Sequence, residues 1–177
     1  MDFRVDASEY CHGSAVTANT AAASHKMKFR SAIIDASTIV RRAVTLNAPH
    51  AVARGLEVHM DMLAPLVVSG DARLLVEAIA DLVAVVVHQA TGPVSCLVRL
   101  NGGNVTIDVG AKVKREANAK IAGNFFSISG GGKAETLVNL DIRRARMIVE
   151  RHGGAVSIAS SVEVGAYLKV ILPGRLA

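Results

Sequence analysis

The residues whose spacing could bind a phosphate lie in one glycine-rich stretch, Gly130-Gly131-Gly132-Lys133. Glycines let backbone N–H groups approach phosphate oxygens closely, and a following lysine can neutralise their charge. The stretch lacks the full spacing of a P-loop, and it does not follow a buried strand. It lies in a polar, glycine-rich segment from 110 to 133 that is long for a structureless connection, which favours a mobile lid over a phosphate cradle.

Histidines and cysteines, which could transfer protons or ligate metals, are scattered along the chain. His88 and His152 each end a predicted helix, where a cation interacts favourably with the helix dipole, and we interpret His152 as structural. Cys11 and Cys96 have neither the number nor the spacing of a disulfide framework or a zinc site. The sequence therefore predicts no metal site and no catalytic residue, with the reducing cytoplasm as the setting.

The densest group of positive charge is Arg143-Arg144-Ala145-Arg146, in a chain of 177 residues with a formal net charge of +5. Nucleic-acid binders usually interleave their basic residues with aromatic side chains, and no aromatic residue lies near this group. We therefore predict an acidic protein partner, bound through Arg143, Arg144 and Arg146, and no nucleic acid. No apolar run approaches the roughly 20 residues that span a bilayer, so no membrane partner is predicted.

The elements that would position these residues belong to one domain. Residues 1–25 include an Ala-, Thr- and Ser-rich stretch without apolar periodicity, so we predict a flexible lead-in there and an ordered domain over 26–177. Apolar residues make up 51% of the chain, but only 3% of the residues are aromatic. A core of Val, Leu, Ile and Ala suits helices packed on a sheet.

The first part of the domain alternates strands with helices. A strand over 29–35 is followed by a helix over 37–54, with Asp35 or Ser37 as its N-cap. Pro49 lies inside this helix and would kink or interrupt it. The apolar stripe expected to face the core consists of Ile39, Val40, Ala43, Val44 and Leu46.

The second helix is expected to be the most buried element. It runs over 72–89 after a strand over 56–60 and an apolar run over 65–70, and it is apolar nearly all round. Asp71 caps it, and Thr91-Gly92-Pro93 breaks it. Two hairpins and a third helix follow, over 94–109, 155–172 and 135–152. This order predicts an α/β fold, a two-layer α/β sandwich with helices on one face of a mixed sheet.

Three stretches between Phe29 and Pro173 follow the pattern of one known family. The first runs from Ile34-Asp35 through Ala48-Pro49-His50-Ala51 to Arg54-Gly55-Leu56, and the second is Gly70-Asp71-Ala72-Arg73-Leu74 at the start of the main helix. The third is Ile148-Val149-Glu150-Arg151-His152-Gly153-Gly154, followed at matching spacing by Ser160, Gly165, Leu168 and Pro173. On these residues the chain resembles the histidine-kinase-type ATPase domain, the fold shared with gyrase B and the Hsp90 chaperone.

The resemblance implies an ATP site, and its main helix is the first place where this chain departs from the family. There the family has an Asn that helps to hold Mg²⁺, an ion that prefers hard oxygen ligands. Val85 stands at that position and offers no oxygen. Asp81 stands at an earlier Asn position, four residues upstream.

The same departure is seen where the family binds adenine and phosphates. An Asp that binds the adenine amino group and two glycines fall on Ala111, Val113 and Arg115. The glycines that close the family's lid are replaced by Asn139 and Asp141, and Asp141 would set a negative charge near the phosphates. We therefore predict a degenerate ATP site and no bound cofactor. The alternative is a divergent site that still holds ATP with Mg²⁺.

The function implied by the resemblance is in two-component signal transduction. We expect a degenerate domain that acts as a regulatory or protein-binding module, with a sensor kinase or the receiver domain of a response regulator as its partner. The rival hypotheses are an active catalytic domain that phosphorylates a His in trans, and a fragment of a larger kinase. Residues 1–28 lack the apolar periodicity of the family's phosphoacceptor hairpin, so autophosphorylation within this chain is not expected.

Overall fold

A computed structural model describes residues 30–62, 65–114, 137–161 and 165–174. The predicted lead-in, the glycine-rich stretch ending at Lys133 and the rest of the lid segment beyond residue 114 lie outside these ranges. The side chains of residues 137–140, and with them that of Asn139, also lie outside them. The boundary between lead-in and domain stays a prediction.

Seven strands and three helices make up the described part of the chain. In chain order they are β1 (Ala32–Asp35), α1 (Ala36–Ala53), β2 (Val58–Met62), β3 (Val67–Gly70), α2 (Ala72–Gln89), β4 (Ala90–Asn101), β5 (Asn104–Val113), α3 (Leu137–Arg151), β6 (Ala155–Ser161) and β7 (Gly165–Pro173). Each helix of the prediction is present: α2 has the predicted ends, and the ends of α1 and α3 are shifted by one or two residues.

Five strands form one mixed sheet in the order β2-β4-β5-β7-β6. β2 runs parallel to β4, and the other neighbours are antiparallel. β1 and β3 form a separate antiparallel pair, tied to the end of β7 by a bridge from Val68 to Gly174. The helices pack on the face of the sheet to which Val105, Ile107 and Val109 of β5 point. The α/β sandwich expected from the sequence is confirmed.

Helix α2 provides the centre of the core. It packs between α1 and α3 and against β4, β5 and β7. Nine of its side chains are buried: Leu74, Leu75, Ala78, Ile79, Leu82, Val83, Val85, Val86 and Val87. Since burying one aliphatic side chain contributes roughly 1.5–3 kcal/mol, this helix is the main source of apolar stabilisation.

Two polar side chains fix α1 against α2. The buried Asn47 donates from Nδ2 to the carbonyls of Ala43 and Ala80, each at 3.0 Å. Arg54, just after α1, donates to the carbonyls at the C-terminal end of α2, those of Val87, His88 and Ala90. A cation there satisfies carbonyls that have no helical donor and complements the helix dipole. Neither role was predicted, because the acceptors that Asn47 and Arg54 reach outside α1 are more than 30 residues away in sequence.

Helix α1 differs from its prediction in two ways. It continues through Pro49 without interruption. Pro49 and Thr45 are both exposed, so water can bond the Thr45 carbonyl that loses its helical donor. Leu46, predicted to face the core, is 62% exposed. The buried positions beyond Val44 are Asn47 and Ala51 instead.

The break predicted at Thr91-Gly92-Pro93 takes another form. Helix α2 ends at Gln89, and the three residues belong to β4, at a shift in the register between Ala90 and Val94. A proline in a strand requires such an irregularity, because it has no N–H to donate to the neighbouring strand.

Candidate functional site

The second and third stretches of the family pattern meet at a buried junction between the start of α2 and the end of α3. The backbone N–H of Asp71 donates to His152 Nε2 at 3.0 Å, and His152 Nδ1 lies 2.6 Å from the carbonyl oxygen of Ile148. Because a carbonyl only accepts, these bonds require the tautomer with the proton on Nδ1. A Cβ at Gly70 would overlap the His152 ring. The contacts match the structural interpretation of His152.

Asp71 connects this junction to two further segments. Its carboxylate caps α2 by accepting from the N–H groups of Arg73 and Leu74 at 3.1 and 3.2 Å, and it accepts from the N–H of Arg30 at 3.0 Å. Burial acts to raise the pKa of the Asp71 carboxyl. The three backbone N–H groups and the Arg73 charge outweigh burial and lower the pKa below its ordinary value of 3.8.

The positions implied for metal binding lie on α2, and only Asp81 carries an oxygen ligand there. Val85 is 1% exposed and belongs to the hydrophobic core. The Asp81 carboxylate is bound on both oxygens by Arg144 of α3, with Nε 2.7 Å from Oδ2 and Nη2 2.5 Å from Oδ1. These two residues as placed do not fit the Mg²⁺ of the family, because one has no ligand atom and the other already holds a cation.

The Asp81–Arg144 pair is buried on one side only, since the Asp81 side chain is 12% exposed and that of Arg144 is 58% exposed. Burial raises the pKa of the Asp81 carboxyl above its ordinary value despite the Arg144 guanidinium, and the charges of Asp141 and Glu77 raise it further. The hydrogen bond to Asp81 raises the pKa of Arg144. Burial therefore acts against the charged form of the pair, because the carboxylate is the partner that loses its water.

The position implied for adenine binding lies at the end of β5. Ala111 is 5% exposed and lies between Val94 of β4 and Ala166 of β7 in the sheet register. A Cβ at Gly165, whose φ is +95°, would overlap the Ala111 carbonyl. Val113 is half-buried opposite Ala90. Neither Ala111 nor Val113 has a side-chain acceptor for an amine.

Asp108 of the same strand lies on the face away from the helices. Its side chain is only 20% exposed, and its Oδ1 lies 3.6 Å from Lys169 Nζ. That oxygen is buried and has no hydrogen-bond donor within normal range in the described part of the chain.

The arginines predicted to bind a partner lie on α3 and have partners within the chain. Arg144 binds Asp81, and Arg146 Nε lies 2.7 Å from Oε1 of Glu150 one turn away. Asp141, one turn before Arg144, is half-buried, and its charge acts on the pair. No local pattern predicts the Asp81–Arg144 contact, because it joins residues 63 apart. Arg143, which is exposed, also has an interaction within the structure.

Solved structures of sensor kinases share this architecture. The chain superposes on the mycobacterial sensor histidine kinase MprB with a TM-score of 0.62 and 16% identity, covering 84% of this chain and 100% of that one. For the catalytic domain of histidine kinase ThkA the TM-score is 0.64 and the identity 18%, with 81% and 95% covered. The cytoplasmic segment of histidine kinase QseC gives a TM-score of 0.58 and 16% identity, with 82% and 79% covered.

The chain therefore has the fold of the histidine-kinase-type ATPase domain. No protein-family model and no curated protein matches its sequence. Within the described ranges, no group of three or more His, Cys, Asp or Glu side chains could hold a metal ion. The helices of those ranges are too short or too polar to cross a bilayer.

Proposed function

We propose that this chain is a histidine-kinase-like domain of two-component signal transduction that has lost nucleotide binding and acts in the cytoplasm as a regulatory or protein-binding module. The observation that carries the proposal is the burial of Val85 in the core, at the position where the resemblance puts the Mg²⁺-holding Asn. Placing a metal there would require desolvating the ion without supplying a ligand oxygen.

The rival function is a divergent catalytic domain that binds Mg-ATP and phosphorylates a histidine of another chain. What favours it is the retained junction of Gly70, Asp71 and His152, together with a fold close to that of active kinases. These features stabilise the packing of the helices, and by themselves they are not evidence for catalytic activity.

Isothermal titration calorimetry with Mg-ATP separates the two functions. We expect no heat of binding up to millimolar nucleotide, for the full chain and for the variant Asp81→Ala, which removes the one carboxylate at the metal positions. Micromolar binding that ADP displaces would overturn the loss of nucleotide binding.

The partner we propose is a sensor kinase or a receiver domain that contacts Arg143, Arg144 and Arg146 of α3. Replacing Arg144 by Glu would place two carboxylates side by side, because Arg144 binds Asp81. The informative variant is therefore the double substitution Arg143→Glu with Arg146→Glu. Capture of a panel of receiver domains should fall in this variant and persist in Arg151→Glu, which changes an exposed charge at the end of the same helix. Equal capture by both variants would exclude this face.

A further inference from the structure

A second basic region of the molecule lies on α1, and this helix contains no carboxylate that could pair with its arginines. Helix α1 contains Arg41, Arg42 and His50 and no acidic residue. Arg41 and Arg42 are exposed, and among the described residues neither side chain takes part in an ion pair or hydrogen bond. The arginines of α3 described above differ in this respect, since Arg144 and Arg146 each bind a carboxylate.

A groove opens beside these charges, between α1 and the first turns of α2. Its volume is about 560 Å³, and it is lined by Arg42, Thr45, Leu46, Ala72, Arg73, Val76 and Glu77. The apolar part of the lining consists of Leu46, Ala72 and Val76. Leu46 is 62% exposed, and the residues next to it, Thr45 and Asn47, are exposed and buried respectively.

The size of the groove limits what it can hold. Arg42 and Leu46 are one helical turn apart, so the groove runs about 6–8 Å along each helix. That length accommodates one or two apolar side chains rather than a long peptide. Arg42 contributes to the rim a cation that has no partner within the ranges that the structure describes, whereas Arg73 is bound to Glu77 at 2.8 Å.

We propose that this groove binds an acidic segment of a partner protein that inserts one or two apolar side chains between α1 and α2. Arg42 attracts the carboxylates, and burial of Leu46 and Val76 adds the apolar contribution. A nucleic acid would leave Leu46 and Val76 against a polar backbone, and none of the described residues that line the groove is aromatic and could stack on a base. The proposal does not depend on whether nucleotide binding is lost.

Fluorescence anisotropy with the full chain tests the proposal. The probe is a fluorescein-labelled helical peptide with two leucines one turn apart, flanked by glutamates. One control peptide has lysines in place of the glutamates, and another has serines in place of the leucines. We expect the acidic leucine peptide to bind at least about tenfold more tightly than either control, and its affinity to fall with added salt.

Matched variants locate the binding. Arg42→Glu and Leu46→Ser should each weaken binding of the acidic leucine peptide by about tenfold or more. Arg151→Glu and Val52→Ser make the same chemical changes at exposed positions outside the groove and should leave binding within about twofold. All four sites are exposed, so urea unfolding should show that the variants are as stable as the wild type.

The outcomes against the proposal are distinct. No binding of the acidic peptide at 1 mM, or equal weakening by the groove variants and their controls, would overturn it. A single-stranded oligonucleotide that competes for the groove more strongly than the acidic peptide would assign the surface to nucleic acid instead. Dimerisation of the chain that Leu46→Ser abolishes in sedimentation would assign it to a second copy.

Discussion

The junction of α2 with α3 and the positions implied for nucleotide binding contrast in how their polar groups are satisfied. At the junction the Asp71 N–H, the His152 ring and the Asp71 carboxylate all bond within the chain. At the nucleotide positions Val85 and Ala111 are apolar and buried. At the junction the polar groups have partners that the fold supplies, whereas two of the positions where the resemblance implies a ligand carry apolar side chains.

Asp81 tests this contrast, because it is a polar residue at a nucleotide position. Its carboxylate obtains both partners from Arg144 and needs no ligand. Asp81 therefore resembles the residues of the junction in having its partner within the chain, although it lies at a position implied for nucleotide binding.

Gly70→Ala should have the largest effect, a loss of about 4 kcal/mol in the free energy of unfolding. The added Cβ overlaps the His152 ring and separates it from the Asp71 N–H, which combines overpacking with an unsatisfied buried donor. Urea denaturation measures the loss. Gly92→Ala is the matched control, since nothing lies within 4 Å of its Cβ position, and it should change stability by less than about 1 kcal/mol. Equal stability of the two variants would refute the role of the junction.

Val85→Asn restores the amide implied by the resemblance and should cost about 3 kcal/mol of stability. The side chain is in the core, where an amide has no described partner and pays its desolvation. Urea denaturation and calorimetry with Mg-ATP are the measurements. Val52→Asn, at a position 76% exposed, should cost less than about 1 kcal/mol. A stable Val85→Asn protein that binds Mg-ATP would show that a single residue separates this chain from a working site.

Much of the fold could be predicted from the sequence, because local signals decide it. The apolar pattern of α2, the cap at Asp71 and the glycine turn between β4 and β5 each act within a few residues. The sequence analysis places Leu46 in the core, because helical periodicity puts it on the same face of α1 as the apolar residues Ile39 and Ala43. It is exposed since the polar Asn47 makes the contact with α2 instead.

The side-chain contacts within the site could not be predicted from the sequence. Asp81 and Arg144 are 63 residues apart, and Asp71 and His152 are 81 apart. No local pattern encodes which carboxylate faces which cation across two packed helices. The resemblance identified His152 and Asp71 as family residues, but only the structure shows that they are bonded to each other.

Asp71→Ala should cost about 2 kcal/mol at neutral pH, because it removes the cap of α2 and the acceptor for the Arg30 N–H. Since the folded pKa of Asp71 is below its ordinary value of 3.8, the carboxylate stabilises the fold above that pH. The difference from the wild type should therefore shrink as the pH falls below 3.8 through the folded pKa. Urea denaturation from pH 7 to pH 2.5 checks this. Asp61→Ala, an exposed partner of Arg99, should show a loss below about 1 kcal/mol. If the loss of unfolding free energy in Asp71→Ala stayed constant from pH 7 to pH 2.5, the lowered pKa of Asp71 would be contradicted.

The smallest effects are expected at the Asp81–Arg144 pair, and they should be unequal. Arg144→Met leaves a carboxylate that is only 12% exposed without its cation and should cost about 1–2 kcal/mol, discounted for the exposure of Arg144. Asp81→Asn leaves only an exposed guanidinium and removes a carboxylate whose pKa burial has raised, so stability should stay within about 0.5 kcal/mol or rise. The raised pKa means that any gain is present at neutral pH and shrinks as the wild-type carboxyl takes up its proton on acidification.

Urea denaturation at pH 7 and pH 4 separates these outcomes, with Arg99→Met as the control at an exposed pair. If Asp81→Asn proved more damaging than Arg144→Met, the carboxylate would be contributing more to the fold than its partner does. Asp81 would then belong with Asp71 as a residue that the scaffold requires in its charged form. The contrast between scaffold and nucleotide positions would then rest on Val85 and Ala111 alone.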